Sequence, residues 1–261
     1  MTKTYSPGNL GRWTLAVIVS LACAGALPAG RSATAAEPPA KPEGVTVANP
    51  TVGLPPFQFS EAQKSDGFFK SFEKFDQEDT GRTIAEDEIL VLGSSSIVGW
   101  RSMEADLRPL KVIRRGFGGS RMKNVLLYKD FFRRYQAKRI VIYEGDNDLA
   151  GSSKLDPADF LLQCQEFVEY VRLKSPDTKF YFLSIKPSTA RMKKWPVMSE
   201  GNRLLKAYAE SDPNIEYLDV ASRMLHPDGT IRQELIGKDG VHMTRAGYEV
   251  WTEVVRSQFT E

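Results

Sequence analysis

Residues 88–97 read Glu88-Ile89-Leu90-Val91-Leu92-Gly93-Ser94-Ser95-Ser96-Ile97. Four consecutive aliphatic residues closed by a glycine and three hydroxyls predict a short strand, buried on both faces, that ends in a polar turn. Ile97 and Val98 then resume an apolar pattern, as expected where a helix begins. Strand, turn and helix in that order is the opening of a β–α unit.

The same order recurs along the chain. Short β-branched or aromatic runs at 111–115, 139–144, 179–185 and 215–220 predict four further strands. Helical patterns separate them. The clearest starts at Asp156, a good N-cap, with Pro157 in the first turn and Phe160, Cys164, Phe167 and Val171 along one side. Others are expected over about 196–211 and from Thr244, a plausible cap, to about 258. Ahead of the first strand, Phe68, Phe72 and Phe75 recur at helical spacing, which predicts a helix packed on the core. Repeated β-then-α order requires right-handed crossovers and gives a three-layer α/β/α sandwich around a parallel sheet.

In such a sheet, ligands bind beyond the carboxyl ends of the strands. After the first strand come Ser94, Ser95 and Ser96. After the second comes Gly116-Phe117-Gly118-Gly119-Ser120, and after the third Gly145-Asp146-Asn147-Asp148. Asp239-Gly240-Val241-His242 precedes the last helix. Acyl transfer needs a nucleophile, a base, a group that orients the base, and donors for an oxyanion. The chain has two histidines. His226, in His226-Pro227-Asp228-Gly229, reads as a turn residue. His242 is the better base, with Asp239 three residues earlier to fix its tautomer. The backbone N–H of Gly119, the Asn147 amide and the Ser95 N–H suit the oxyanion. Bland roles compete at each position, since glycines and Asn after a strand also simply shape turns.

Gly93-Ser94-Ser95, Gly119, Gly145-Asp146-Asn147 and Asp239-Gly240-Val241-His242 resemble, in order, the four blocks of SGNH hydrolases, also called the GDSL family. The resemblance spans about Ile89 to the C-terminus. It implies a flavodoxin-like fold with a five-stranded parallel sheet and hydrolysis of esters through an acyl-enzyme without metal or organic cofactor. It makes Ser95 the nucleophile, Asp239 and His242 the rest of the triad, and Ser95, Gly119 and Asn147 the oxyanion hole. One position departs: Ser94 stands where the family has Asp, which opens Ser94 and Ser96 as alternative nucleophiles. Position two after Gly93 and the downstream Gly99-Trp100 favour Ser95.

The remaining sequence bounds the setting. Lys3 and Arg12 precede an apolar run from Trp13 to Ala26, and Ala33-Thr34-Ala35-Ala36 follows. This reads as a signal peptide over 1–36, hence a secreted or periplasmic protein. A retained anchor is the alternative, but the run is shorter than the ~20 residues a spanning helix needs. Lipid attachment at Cys23 is another; Ser20-Leu21-Ala22 lacks the usual leucine three residues before that cysteine. Residues 37–60 are Pro-rich and read as a linker, leaving 61–261 as the hydrolase domain. After cleavage Cys164 is the single thiol, expected in the core. Thirty-five basic against 33 acidic residues argue against a nucleic-acid partner. Arg114, Arg115 and Arg121 are expected to be solvated. Lys186-Pro187-Ser188 is expected to break the fourth strand into a loop, with a substrate contact as the alternative. The expected substrate is a small-molecule or carbohydrate ester with a small acyl group, since no long apolar lid segment is present. The alternatives are a lipase or lysophospholipase of the same family and a non-catalytic carbohydrate-binding module. Oligomeric state is not legible in the sequence.

Overall fold

The computed structural model of the chain describes residues 53–151 and 155–259. The expected signal peptide, Cys23 and most of the expected linker lie outside these residues. Five strands form one sheet: β1 (Ile89–Gly93), β2 (Val112–Gly116), β3 (Arg139–Tyr143), β4 (Lys179–Leu183) and β5 (Ile215–Leu218). Their order is β2-β1-β3-β4-β5 and every pair is parallel. The chain leaves β1 toward one edge and returns for β3 on the other side. The switch point therefore falls between the carboxyl ends of β1 and β3, where open α/β sheets bind ligands.

Successive strand residues face opposite sides, so an uninterrupted apolar run feeds two cores at once. Leu90, Leu92, Ile140, Ile142, Phe180 and Phe182 are buried on one side. There, after the one-turn α1 (Glu61–Lys64), they meet α2 (Phe69–Asp79), α5 (Met122–Leu127), α6 (Lys129–Arg133), α8 (Pro157–Arg172) and α9 (Trp195–Glu210). Ile89, Val91, Val141, Tyr143, Tyr181 and Leu183 are buried on the other. They meet α3 (Ser95–Gly99), α4 (Met103–Asp106) and α10 (Arg245–Phe259), where Trp251 is fully buried against Tyr143, Trp100 and Tyr248. This is the expected three-layer sandwich.

The local signals act as chemistry predicts. Asp156 accepts the Ala158 N–H and caps α8, with Pro157 in its first turn. Cys164 is buried. Phe72 is buried on the sheet side of α2 and stacks on Tyr128 at 3.6 Å. His226 closes a turn, accepting the Gly229 N–H at 2.9 Å.

Two expectations need correction. The folded part begins ahead of residue 61: Leu54 exchanges backbone hydrogen bonds with residues 81 and 82, and Phe57 and Phe59 pack on Phe131. Proline-rich composition obscured this pair of anchoring rings. Arg115 is not solvated. It points from edge strand β2 into the core side, 5% exposed, and pairs with Asp79 at the end of α2 and with the Tyr135 hydroxyl. Among the described residues no helix is long and apolar enough to cross a membrane.

Candidate active site

The chain leaves β1 through Gly93, whose φ of +150° and position suit no other residue: a Cβ there would meet the Tyr143 carbonyl oxygen at 2.2 Å. The turn delivers Ser95 to the first position of α3. Helix geometry leaves the N–H groups of a first turn without intrahelical acceptors, so the Ser95 N–H remains available. The loop after β2 comes alongside. A Cβ built on Gly118 would lie 3.8 Å from that of Ser95, and Gly119 turns with φ +85°.

Asp239 and His242, the latter 147 residues downstream of Ser95, arrive on a tight loop. Ile236 and Met243 bridge its ends, the Gly237 N–H donates to the His242 carbonyl at 2.7 Å, and Gly240 takes φ +71°. Asp239 Oδ1 accepts the N–H groups of Val241 and His242, both at 2.9 Å. Its Oδ2 lies 2.5 Å from His242 Nδ1, and His242 Nε2 lies 3.0 Å from Ser95 Oγ. The hydrogen bond from His242 and those two backbone donors hold the Asp239 carboxyl well below the usual carboxylate range. An ionised carboxylate only accepts, so the proton between them belongs to Nδ1 and Nε2 is free to accept from Ser95. Ser94 and Ser96, at 0% and 1% exposure, are buried and do not meet the imidazole.

The loop after β3 supplies the opposite wall. Asn147 donates from Nδ2 to the Ser120 carbonyl at 3.0 Å and accepts at Oδ1 from Arg191 Nη2 at 2.9 Å. Beneath it lie three acids. Burial pushes the Glu144 carboxyl well up, aided by nearby Asp148, and it accepts from Ser120 Oγ at 2.5 Å. Burial raises Asp148 to about 6 although Met122 and Gly145 donate to it. Asp146 lies 3.1 Å from Arg191 Nη1 and 3.6 Å from Lys186 Nζ.

All five residues expected at the site thus gather at the β1/β3 switch point, with Ser95, His242 and Asp239 in a continuous hydrogen-bonded series. Such a series can lower the cost of removing a serine proton and can attack a carbonyl carbon. A family model described as the GDSL-like Lipase/Acylhydrolase family matches residues 87–250.

The chain belongs to this family.

Membership makes it a serine ester hydrolase. Curated relatives of this GDSL-like hydrolase include platelet-activating factor acetylhydrolase IB subunit alpha2 of Gallus gallus. That protein is 26% identical over 176 residues, covering 62% of this chain and 72% of the relative. The Rattus norvegicus protein of the same name is 25% identical with the same coverage. Solved structures share the fold. A GDSL-like lipase from Bacteroides thetaiotaomicron superposes with TM-score 0.62 at 18% identity, covering 72% of this chain and 96% of that one. A carbohydrate esterase family 3 structure from Talaromyces cellulolyticus gives TM-score 0.52 at 12% identity, covering 66% and 96%.

Sequence reasoning missed Arg191 altogether and took Lys186 for a break between strand and loop. Lys186 is neither exposed nor a mere strand end. It is fully buried, and its Nζ donates to the Val241 carbonyl at 2.7 Å, next to His242. Burial pushes its amine below the usual lysine range while Asp146 opposes the shift. The one available signal was a lysine at the carboxyl end of an inner strand, where a charge needs a partner.

Proposed function

We propose that this GDSL-like hydrolase is an exported esterase that removes small acyl groups such as acetyl from hydroxyls of larger alcohols, carbohydrates among them. Ser95 is the nucleophile, His242 the general base and acid, Asp239 the group that orients it. The N–H groups of Ser95 and Gly119 and the Asn147 amide stabilise the oxyanion. The observation that carries this reading is the series Asp239 Oδ2–His242 Nδ1 at 2.5 Å and His242 Nε2–Ser95 Oγ at 3.0 Å.

Ser95 Oγ attacks the ester carbonyl carbon while its proton passes to His242 Nε2. The carbonyl oxygen becomes negative and meets the three donors, each worth about 2.7–4 kcal/mol of barrier. Collapse breaks the bond to the alcohol oxygen, which takes the proton back from Nε2. Water then enters, gives its proton to Nε2, attacks the acyl carbon and releases the acid with Ser95 restored. The imidazolium formed midway in each half is balanced by Asp239.

Support for a small acyl group on a large alcohol comes from exposure. The side chains of His242 and Asp239 are 48% and 52% exposed, so a bulky leaving group meets no wall there. The relatives named acetylhydrolases agree with a short acyl group. Export is supported by the charged, apolar and small-residue order of residues 1–36.

The test is a panel of nitrophenyl esters and acetylated sugars run beside Ser95→Ala. Acetyl esters are expected to turn over fastest, and fluorophosphonate labelling is expected to vanish in the variant. Preference for chains of ten or more carbons overturns the substrate reading. Labelling that survives in Ser95→Ala overturns the nucleophile.

A further inference from the structure

Asn147 sits in the first turn of a short helix, α7 (Asp146–Leu149), and presents an amide whose two ends are nearly equal in size and opposite in polarity. Only one orientation is useful to an oxyanion: the carbonyl end turned to a developing negative charge would repel it. Something must therefore choose between the two. Arg191, in the 3-10 turn Thr189–Lys194 after β4, donates from Nη2 to Asn147 Oδ1 at 2.9 Å. A guanidinium has five donors and no acceptor, so the end it faces must be the oxygen. On the other side the Ser120 carbonyl, which only accepts, takes one Nδ2 hydrogen at 3.0 Å. The second Nδ2 hydrogen remains for a ligand.

Arg191 is itself held. Nη1 lies 3.1 Å from Asp146 Oδ2, and its side chain is 19% exposed. The neighbouring Ala190 N–H donates to the Gly240 carbonyl at 3.0 Å, inside the loop that carries Asp239 and His242. Lys186 ties the same Asp146 oxygen, at 3.6 Å, to the Val241 carbonyl, at 2.7 Å. Three charged side chains thus connect the amide on one side of Ser95 to the base loop on the other. A lysine at 191 has one nitrogen and no planar fork with which to reach both Asn147 and Asp146.

We infer that Arg191 is a positioning residue for ester hydrolysis: its guanidinium, braced by Asp146, fixes the Asn147 amide with N–H toward the oxyanion and strengthens that N–H as a donor. The inference rests on the reading of Asn147 as an oxyanion donor. The strengthening follows because a cationic donor on the amide oxygen draws electron density from its nitrogen.

The experiment is a double-mutant cycle of Arg191→Met and Asn147→Ala on nitrophenyl acetate, with kcat, KM and Tm for each protein. Asn147→Ala is expected to lower kcat about 10²–10³-fold. Arg191→Met is expected to lower kcat roughly tenfold or more with KM nearly unchanged, and to add nothing in the Asn147→Ala background. An equal loss in both backgrounds overturns the inference and leaves Asn147 in place. An unchanged kcat in Asn147→Ala overturns the oxyanion reading instead. A rise in KM alone makes Arg191 a substrate contact and also overturns the inference. Should Arg191→Met fail to fold, Arg191→Lys takes its place in the cycle, since it retains a charge beside Asp146. Wild-type kcat in Arg191→Lys, or no movement of the Asn147 side-chain amide resonances, refutes the inference. A kcat loss confined to the Asn147 background, with those resonances shifted, supports it.

Discussion

Replacing Asp239 with Asn changes one oxygen to an NH2 group and leaves the shape intact, yet it is expected to cost nearly all the turnover. Oδ1 accepts two backbone N–H groups at 2.9 Å, whereas Oδ2 faces only His242 Nδ1. An NH2 turned toward the backbone would confront two donors that cannot change. Turned toward the ring, it confronts one nitrogen that can surrender its proton. The amide oxygen therefore stays on the loop and its NH2 donates to Nδ1. The imidazole must then carry its proton on Nε2, 3.0 Å from Ser95 Oγ, and presents a donor where the serine needs an acceptor. Loss of the base with the oxyanion donors intact corresponds to about 10⁴-fold in kcat. The loop bonds survive, so Tm should hold within about 3 °C, the shift expected for 1 kcal/mol in a domain of this size. Initial rates on nitrophenyl acetate, normalised to folded protein by circular dichroism, give the answer. A folded Asp239→Asn protein within tenfold of wild-type kcat would refute the tautomer argument.

Other perturbations test the frame around the site. Trp251→Ala empties a fully buried position between Trp100, Tyr143 and Tyr248, and urea titration should show a loss of about 3–5 kcal/mol. Asp106 accepts from Trp100 Nε1, Ser102 Oγ and Arg245, which together with Arg245 foremost hold its pKa at about 2. Its contribution to stability is therefore full above about pH 4 and fades as pH falls toward 2; Asp106→Ala should cost about 1–3 kcal/mol at pH 7 and flatten that acid limb in urea titrations. Asp148 runs the other way. Burial raises it to about 6, so the folded state holds the proton longer than the unfolded chain, and stability should fall as pH rises from about 4 to about 6. The gap between wild type and Asp148→Asn, measured at pH 4 and pH 7, should narrow by up to about 3 kcal/mol at the higher pH; a constant gap rejects the assignment.

The fold was legible because its signals are local. The inner strands β1, β3 and β4 each hold four consecutive apolar or aromatic residues, and Asp156 with Pro157 marks a helix start without reference to anything distant. That Ser95, Gly119, Asn147, Asp239 and His242 lie on loops at one end of the sheet was legible for a related reason: each belongs to a short block whose neighbours shape a turn at a strand end or ahead of the last helix. What was hidden depends on pairings across the chain. Arg191 meets Asn147 from 44 residues away and Lys186 meets Val241 from 55. Within its own segment, Arg191 is one of several basic residues near Lys193 and Lys194, and nothing local separates the half-buried one from the exposed ones. Arg115 illustrates the same failure at the sheet edge, where an acid at the end of α2 decides whether an arginine goes in or out. Phe57 and Phe59 lay in a proline-rich stretch whose composition outweighed two rings.

The half-exposed His242 and Asp239, in the roles proposed for them as base and orienting acid, face a mechanical problem, because water competes for every bond that aligns them. This molecule answers it from beneath. Arg245, three residues after His242, is tied to Asp106 on α4 by bonds of 2.6 and 2.8 Å, and Tyr248 donates to the Ser96 carbonyl at 3.0 Å. These contacts fix the start of α10 to α4 and to α3, the helix that carries Ser95. From the other side, Lys186 holds the Val241 carbonyl. The exposed dyad is thus anchored at both flanks by pairings that each include one screened side chain, Asp106 at 7% exposure beneath the 56% exposed Arg245 and Lys186 at 0%. Buried charge–dipole contacts resist competition from water far better than exposed ones. An open site, as proposed for a bulky alcohol, and a rigid site that keeps 3.0 Å between serine and imidazole are therefore compatible here. The rigidity comes from side chains outside the Ser95–His242–Asp239 series.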